Sequence, residues 1–321
     1  MAITNVTGTG NTWNLPNYAG ELFTASPTKT PLLSMIGGLT GGMKTENDEF
    51  ATGVLYEFPA AAQPEISETA SETAPAATAL ARAQETNVTQ IFQETISLTY
   101  AKMANRGKLS GLNSANQTAN PPSELDWQVA RKLEKVARDV EHTFLNGTYS
   151  KATSAATANK TRGLFELCST GTTIDAAGAD LTLAMLQQLY REMAEAGADF
   201  NNMVLFANAY QKQGITQLYE NQLGYNTPAL RNVGGMNITE IENDFFKMGV
   251  VYDPFVPADR ILIADVGNIA PVLQEVPGKG VLFLEDLAKT GASERKQLYG
   301  QIGLAHGPSF LHGSITGLAT K

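Results

Sequence analysis

An arm and a long hairpin stand ahead of the first segment that can build a core, and this order constrains the fold more than any single motif. Residues 1–44 are rich in Gly, Thr, Asn and Pro, and they show neither a helical nor a strand period. Apolar residues near the end of this segment include Leu32, Leu33 and Ile36. We interpret residues 1–44 as a mostly extended arm with apolar anchors. Such a part is typical of a chain that holds neighbouring subunits rather than one that encloses a substrate.

Residues 45–103 have the pattern of a long hairpin. Residues 50–58 alternate loosely between apolar and polar, and residues 88–103 return as a second apolar strand. Residues 59–85 between them are rich in Ala, Thr, Ser, Pro and Glu, so they cannot form a core of their own. A loop of about 25 residues is unusual in a compact domain unless it is functional or docks elsewhere. We predict a projecting hairpin whose tip is acidic, with Glu65, Glu68 and Glu72.

A long helix is predicted over residues 124–146. Ser123 is a good N-cap, Asp126 completes a close variant of the capping box, and Gly147 is a natural C′ residue. About 23 residues at about 1.5 Å each give a rod of roughly 34 Å. The apolar residues form one stripe: Val129, Leu133, Val136, Val140 and Phe144. The basic residues lie away from that stripe: Arg131, Lys132, Lys135 and Arg138.

The rest of the chain alternates less regularly and predicts an α+β fold. Helices are expected over residues 181–196 and 210–219, with a short buried strand over residues 203–207 between them. A series of strands then follows, over residues 237–241, 249–252, 260–264, 281–284 and 296–306. Helices grouped ahead of a run of strands are typical of the α+β class.

Composition and charge exclude several classes of protein. Hydrophobic residues make up 43% of the 321 residues, which permits a sizeable core. The net charge of −9 argues against a general affinity for nucleic-acid phosphates or for anionic membranes. Cys168 is the single cysteine, so no intramolecular disulfide can form, and this suits a reducing cytoplasm. We expect no signal peptide and no membrane span.

The sequence predicts no catalytic, cofactor-binding or metal-binding residues. No serine-hydrolase elbow, phosphate-binding loop or dinucleotide fingerprint occurs. The three histidines, His142, His306 and His312, have no spacing that suits a common metal site. Glu240 and Glu242 could share one strand face at about 7 Å, within glycosidase range, but a solvated face explains them better. Cys168 fits a small buried residue better than a nucleophile.

The basic residues of the long helix allow two interpretations. They form a solvated face, or they form a subunit contact that meets the acidic hairpin tip of a neighbour. In the second case the opposite charges would steer and register the contact more than they would strengthen it. The candidate contact residues between subunits are Leu32, Leu33, Ile36, Glu65, Glu68, Glu72, Arg131, Lys135 and Arg138.

The order of these parts resembles the major capsid protein of tailed bacteriophages, a fold shared with encapsulins. Residues 30–36 are similar to the family's Thr-Pro-apolar motif, and residues 138–141 to its Arg-Asp-apolar-Glu motif. Residues 249–265 look like its paired strands and turn. The resemblance implies a domain order: an N-terminal arm (1–44), an extended loop (45–103), a peripheral domain with a spine helix (104–178, helix 124–146), an axial domain (179–275) and a return to the peripheral domain (276–321).

The resemblance also implies a function and a set of partners. Capsid proteins of this kind assemble as pentamers and hexamers into an icosahedral head that encloses double-stranded DNA, which they do not bind by sequence. The chain has no long charged helical region before the arm, which favours a separate scaffolding protein, and a portal is expected beside it. We expect assembly in the bacterial cytoplasm and a final place in the virion capsid. Two alternatives stay open: an encapsulin compartment, and a soluble hydrolase with an acidic strand-borne site.

Overall fold

The computed structural model describes residues 30–56, 60–104, 124–222, 240–243, 245, 247–289 and 291–320. The helices in these ranges are α1 (Pro31–Met35), α2 (Glu68–Ser71), α3 (Tyr100–Ala104), α4 (Glu124–Asn146), α5 (Leu164–Thr170), α6 (Leu183–Glu195) and α7 (Ala209–Gln222). The strands are β1 (Met43–Thr45), β2 (Glu49–Tyr56), β3 (Arg82–Val88), β4 (Gln90–Thr99), β5 (Thr172–Asp175), β6 (Met203–Ala207), β7 (Glu240–Glu242), β8 (Lys247–Tyr252), β9 (Ile261–Asp265), β10 (Ala270–Gln274), β11 (Leu282–Asp286), β12 (Ser293–Ala305) and β13 (Gly313–Thr316).

The described end of the arm is a short helix, not an extended strand. Pro31 begins α1, where its missing N–H costs nothing because the first amides of a helix have no partner in the helix. Helix α1 lies against α4 and buries Leu32 and Leu33. Residues 1–29 of the predicted arm lie outside the described residues.

The predicted hairpin exists, but its returning strand was placed wrongly. Strand β2 pairs antiparallel with β3, from Glu49 opposite Val88 to Tyr56 opposite Arg82. Residues 90–99, which we predicted to complete the hairpin, pair instead with β12. The error has a physical cause, because strand periodicity marks burial of one face, whereas β3 changes from exposed at Arg82 to buried at Val88 without alternating. The period-2 signal belongs to β4, which buries alternate residues in the core.

A five-stranded sheet is organised around the long strand β12. One edge of β12 pairs with β4 over residues 293–302. The other edge pairs first with β11 and then with β10, and β1 adds a parallel strand outside β10. The predicted long helix is confirmed as α4, with the predicted bounds. It packs against β4 and β12, so the sheet, α4 and α1 share one hydrophobic core.

A second sheet has six strands in the order β5-β13-β9-β6-β8-β7. Helix α6 confirms the helix predicted near residues 181–196. Thr182 caps its start by accepting the Met185 N–H, and Gly197 follows its end with φ +88°. Residues of α6, α7 and the sheet form a second core. The sheet combines β5, β9 and β13, one strand from each of the three domain segments proposed after residue 103. One sheet thus spans all three segments, and the domain boundaries proposed between them stay predictions.

Candidate subunit interface

The apolar end of the arm is buried within its own subunit. Leu32, Leu33 and Ile36 join the core cluster that contains Val140 and Phe144 of α4. Their side chains keep almost no exposed area for a neighbour to cover. Their assignment to a contact between subunits stays a prediction, and this burial favours a role as the internal anchor of the arm.

Glu141 holds the first turn of α1. Its Oε1 accepts the Leu32 N–H at 2.8 Å and its Oε2 accepts the Leu33 N–H at 2.7 Å. The first amides of a helix lack partners within the helix and carry partial positive charge, so a carboxyl group is the natural acceptor there. The two motifs quoted for the capsid resemblance, residues 30–36 and residues 138–141, are therefore in direct contact.

A second buried carboxyl group lies beside Glu141. Asp253 follows β8, and its Oδ1 accepts the Phe255 N–H at 2.8 Å. Glu141 and Asp253 are both fully buried, and they lie close enough for the Asp253 carboxyl group to act on the pKa of Glu141. Burial first and the neighbouring Asp253 carboxyl second raise the pKa of Glu141 to about 8. Burial also raises the pKa of Asp253. Neither Glu141 nor Asp253 was among the site residues predicted from the sequence.

The root of the hairpin is fixed by buried polar side chains. Asn87 is fully buried, donates from Nδ2 to the Leu304 carbonyl at 2.8 Å and accepts the Arg162 N–H at 2.9 Å. Thr161 is also buried, and its hydroxyl donates to the Val88 carbonyl at 2.8 Å. These bonds tie the end of β3 to the segment after α4 and to β12.

Two buried histidines complete this root. His306 lies 3.2 Å from the Thr52 hydroxyl, at the irregular point of β2, and its Nδ1 donates to the Gly307 carbonyl at 2.7 Å. His312 accepts the Asp265 N–H on Nδ1 and donates from Nε2 to the His306 carbonyl at 2.6 Å. Burial lowers the pKa of His306 to about 4 and lowers the pKa of His312. Both rings are therefore neutral at physiological pH and act as fixed hydrogen-bonding groups.

The tip of the hairpin is exposed, in contrast to its buried root. Every residue from 60 to 84 is exposed, including the predicted contact residues Glu65, Glu68 and Glu72. A single turn, α2, breaks this segment, and Ser67 caps it by accepting the Ala70 N–H. Within the described ranges, the three glutamates form no salt bridge. The tip therefore presents free acidic groups.

The basic face of α4 is largely engaged inside the subunit. Glu94 of β4 pairs with Lys132 at 2.7 Å and also with Lys135. Arg131 pairs with Glu134 at 2.9 Å and remains partly exposed. The Arg138 guanidinium lies 5.9 Å from the ring centroid of Phe255. Arg131 and Lys135 are the two contact candidates on this face with substantial exposed area, and their contact with a neighbour stays a prediction.

The groups weighed for catalysis are either solvated or buried alone, and Glu240 and Glu242 share a solvated strand face as predicted. Glu240 and Glu242 are exposed on β7, and Glu240 pairs with Lys247 at 2.9 Å. Cys168 is buried, and burial raises the pKa of its thiol to about 12. Among the described residues no cluster of three or more His, Cys, Asp or Glu side chains could hold a metal ion. The described helices include none with the length and apolar character of a membrane span.

Comparison with known proteins decides the family. A family model described as SU10 major capsid protein matches residues 5–319. The chain belongs to the SU10 major capsid protein family. The predicted resemblance to phage major capsid proteins is thereby confirmed. A search of curated proteins gave no significant match to this capsid protein.

Solved structures show the same fold at low sequence identity. The cyanophage A-1(L) capsid asymmetric unit matches with TM-score 0.69 and 12% identity, covering 96% of this chain and 98% of that one. The capsid of a native GTA particle matches with TM-score 0.60 and 13% identity, covering 99% and 100%. The SrpI encapsulin from Synechococcus elongatus matches with TM-score 0.58 and 11% identity, covering 96% and 93%.

These comparisons settle several sequence-based predictions. The α+β capsid fold is confirmed by the solved structures, and the structural, shell-forming role and place in the virion capsid follow from the family. The encapsulin alternative is less favoured, because the encapsulin shares the fold whereas the family model is that of a major capsid protein. The hydrolase alternative is wrong, because the family is one of structural proteins.

Proposed function

We propose that this capsid protein assembles as pentamers and hexamers into a closed icosahedral head that encloses double-stranded DNA. The observation that carries the proposal is the exposed hairpin tip. Ile66 is 66% exposed and Leu80 is 63% exposed, so the tip shows apolar area that its own subunit leaves uncovered. Apolar area of this kind is stabilised when a neighbour covers it.

The negative charge of the tip would make it specific for a basic partner surface. In this proposal Glu65, Glu68 and Glu72 of one subunit approach the basic face of α4 on a neighbour. Arg131 and Lys135 are the exposed cations of that face, whereas Arg138 is turned toward Phe255. Such rim charges act mainly on the association rate and on register, so their effect should fall with salt. A closed shell then requires each patch to meet its complement around the ring.

The remaining partners follow from the same proposal. A separate scaffolding protein and a portal would assist assembly in the host cytoplasm. The net charge of −9 disfavours adhesion of DNA to the shell, so packaged DNA would be held by enclosure rather than by specific contacts.

Electron microscopy of the expressed chain, alone and together with a candidate scaffolding protein, tests the proposal. We expect closed particles with fivefold and sixfold arrangements of subunits. A chain that stays monomeric in both preparations, or that forms only open tubes, would contradict it.

A charge exchange tests the contact itself. Glu68→Arg should slow assembly, and adding Arg131→Glu should restore part of the rate if the two residues meet across subunits. Glu240→Arg is the matched control, because it reverses an exposed glutamate on the other sheet. Equal slowing by the control, or no rescue by the double change, would refute this pairing while leaving the shell proposal standing.

A further inference from the structure

The buried carboxyl pair of Glu141 and Asp253 has no part in the proposed contacts between subunits. Both oxygens of Glu141 accept backbone N–H groups of α1, and Asp253 Oδ1 accepts the Phe255 N–H. The remaining oxygen, Asp253 Oδ2, is buried and meets no donor among the described residues. The geometry therefore leaves one buried acceptor oxygen without a donor, on a carboxyl group close enough to act on the pKa of Glu141.

One proton resolves this arrangement. Two carboxylates side by side repel each other, and burial makes two negative charges costlier still. Two carboxyl groups can hydrogen-bond to each other only if one of them carries a proton. The pair titrates as a unit, so the proton belongs to both residues rather than to either.

We propose that Glu141 and Asp253 form a proton-binding latch, in which one shared proton holds the end of the N-terminal arm against the spine helix and loss of that proton releases it. The latch joins three parts of the chain. Glu141 lies on α4, Asp253 follows β8 of the six-stranded sheet, and the amides of Leu32 and Leu33 belong to the arm.

Several charged groups on the surrounding elements have partners of their own. Helix α1 carries no ionisable side chain. On α4, Arg138 lies over Phe255 and Asp139 is exposed beside Lys135, while His142 is exposed. On β4, Glu94 pairs with two lysines. Further ionisable groups on the packed elements are Tyr100 and Lys102 on α3, Glu166 and Cys168 on α5, Lys247 and Tyr252 on β8, and Glu294, Arg295, Lys296 and Tyr299 on β12. Asp253 is the charged group that shifts the pKa of Glu141.

The direction of the pH effect follows from the raised pKa of Glu141, about 8 against an ordinary 4.5. The closed arm binds a proton that the open arm releases, so the closed state is favoured fully at acid pH. Its advantage is lost as pH rises from the ordinary value through the raised one. Over that window the ratio of open to closed arm should rise about tenfold per pH unit, and it should level off once the pair is fully ionised.

Hydrogen–deuterium exchange of the full-length chain tests the latch. Protection factors are measured for a peptide spanning residues 30–38 between about pH 5.5 and about pH 7.5, because they remove the intrinsic pH dependence of exchange. We expect protection to fall about tenfold per pH unit. A peptide from α6 should show no such slope and serves as the internal reference. A flat profile for residues 30–38 would overturn the proposal.

Two substitutions separate the shared proton from simple packing. Asp253→Asn replaces the proton with a permanent N–H donor toward Glu141, so the arm should stay protected with no pH slope. Glu141→Gln leaves only one oxygen for two amides, so the arm should exchange quickly at every pH. Asp139→Asn, an exposed change two positions away on the same helix, should keep the wild-type slope. A wild-type slope in Asp253→Asn would overturn the proposal, and shell formation is not needed for any of these readings.

Discussion

The end of the arm and the tip of the hairpin are opposite environments in one subunit. Leu32 in the arm is 0% exposed, whereas Ile66 in the tip is 66% exposed. Both segments stand outside the two sheets, and both were predicted to reach toward neighbours. The difference teaches that the subunit buries one projecting part by itself and leaves the other exposed.

The physical basis of the contrast is polar as well as apolar. The arm end has an apolar site on α4 and a carboxyl group that accepts its first amides. The tip has a single capped turn, and its residues between 60 and 84 have no buried surface to join. A segment ordered by its own subunit should therefore govern subunit stability, and the tip should govern assembly.

The largest effect should come from the arm. Leu32→Ala removes a fully buried side chain from the core shared with α4, so it should lower the free energy of unfolding by about 2–5 kcal/mol. Urea unfolding of the unassembled chain measures the change. Met35→Ala, in the same turn but about half exposed, should cost no more than about 0.5 kcal/mol. Similar losses for both would break the comparison.

The hairpin root should behave like the arm rather than like the tip. A Cβ at Gly53 would lie 2.9 Å from the Pro308 nitrogen and 3.0 Å from the Gly307 carbonyl carbon. Because both neighbours are backbone atoms, Gly53→Ala should destabilise the subunit by about 1–3 kcal/mol in the same unfolding assay.

Gly214→Ala is the matched control for Gly53→Ala. Gly214 lies within α7, and an added Cβ there meets nothing within 4 Å. Alanine is the better helix former, so this change should stabilise the subunit by about 0.5–1 kcal/mol. Equal destabilisation by both changes would show that the contact with the 307–308 turn does not fix the hairpin root.

Sequence reasoning predicted the helix 124–146, the existence of the hairpin and the α+β capsid fold, because each has a strong local or ordered signal. It placed the returning strand of the hairpin wrongly, because β3 passes from exposed to buried along its length and carries no alternation. It also could not pair β5 with β13, which lie far apart in sequence. Such pairings depend on tertiary contacts rather than on local patterns.

The carboxyl pair was missed for a different reason, and one signal for it existed. Glu141 neighbours Val140 on the apolar side of α4, and Leu145 follows it by one turn. An acid on a buried helix face needs a partner, so its position alone could have singled it out. Asp253 has no comparable signal, because only the folded chain brings it to Glu141.

A smaller effect is expected from the ion pairs that join β4 to the long helix α4. Glu94 accepts hydrogen bonds from Lys132 and Lys135, which hold its pKa below the usual range. Glu94→Gln should cost about 1 kcal/mol at neutral pH, since both lysines reach solvent and their attraction is screened.

The pH dependence of Glu94→Gln has a definite sign. A carboxyl group with a lowered pKa stabilises the folded state above its ordinary value of 4.5 and loses that contribution as pH falls through the lowered value. The difference between wild type and Glu94→Gln should therefore vanish in acid and shrink in high salt. A difference that grows on acidification would contradict the role of this ion pair.

The smallest effect on the stability of the lone subunit should come from changes in the hairpin tip. These changes also give the most stringent test of the contrast between the arm end and the tip. Ile66→Ala and Leu80→Ala each remove mostly solvated side chains, so the free energy of unfolding should change by no more than about 0.5 kcal/mol. The same changes should reduce the yield of closed particles, because the area they remove is the area a neighbour would cover. Light scattering during assembly, with Met35→Ala as the exposed control outside the tip, measures this. If either change destabilises the subunit as much as Leu32→Ala does, the tip is packed on its own chain and the contrast with the arm is lost.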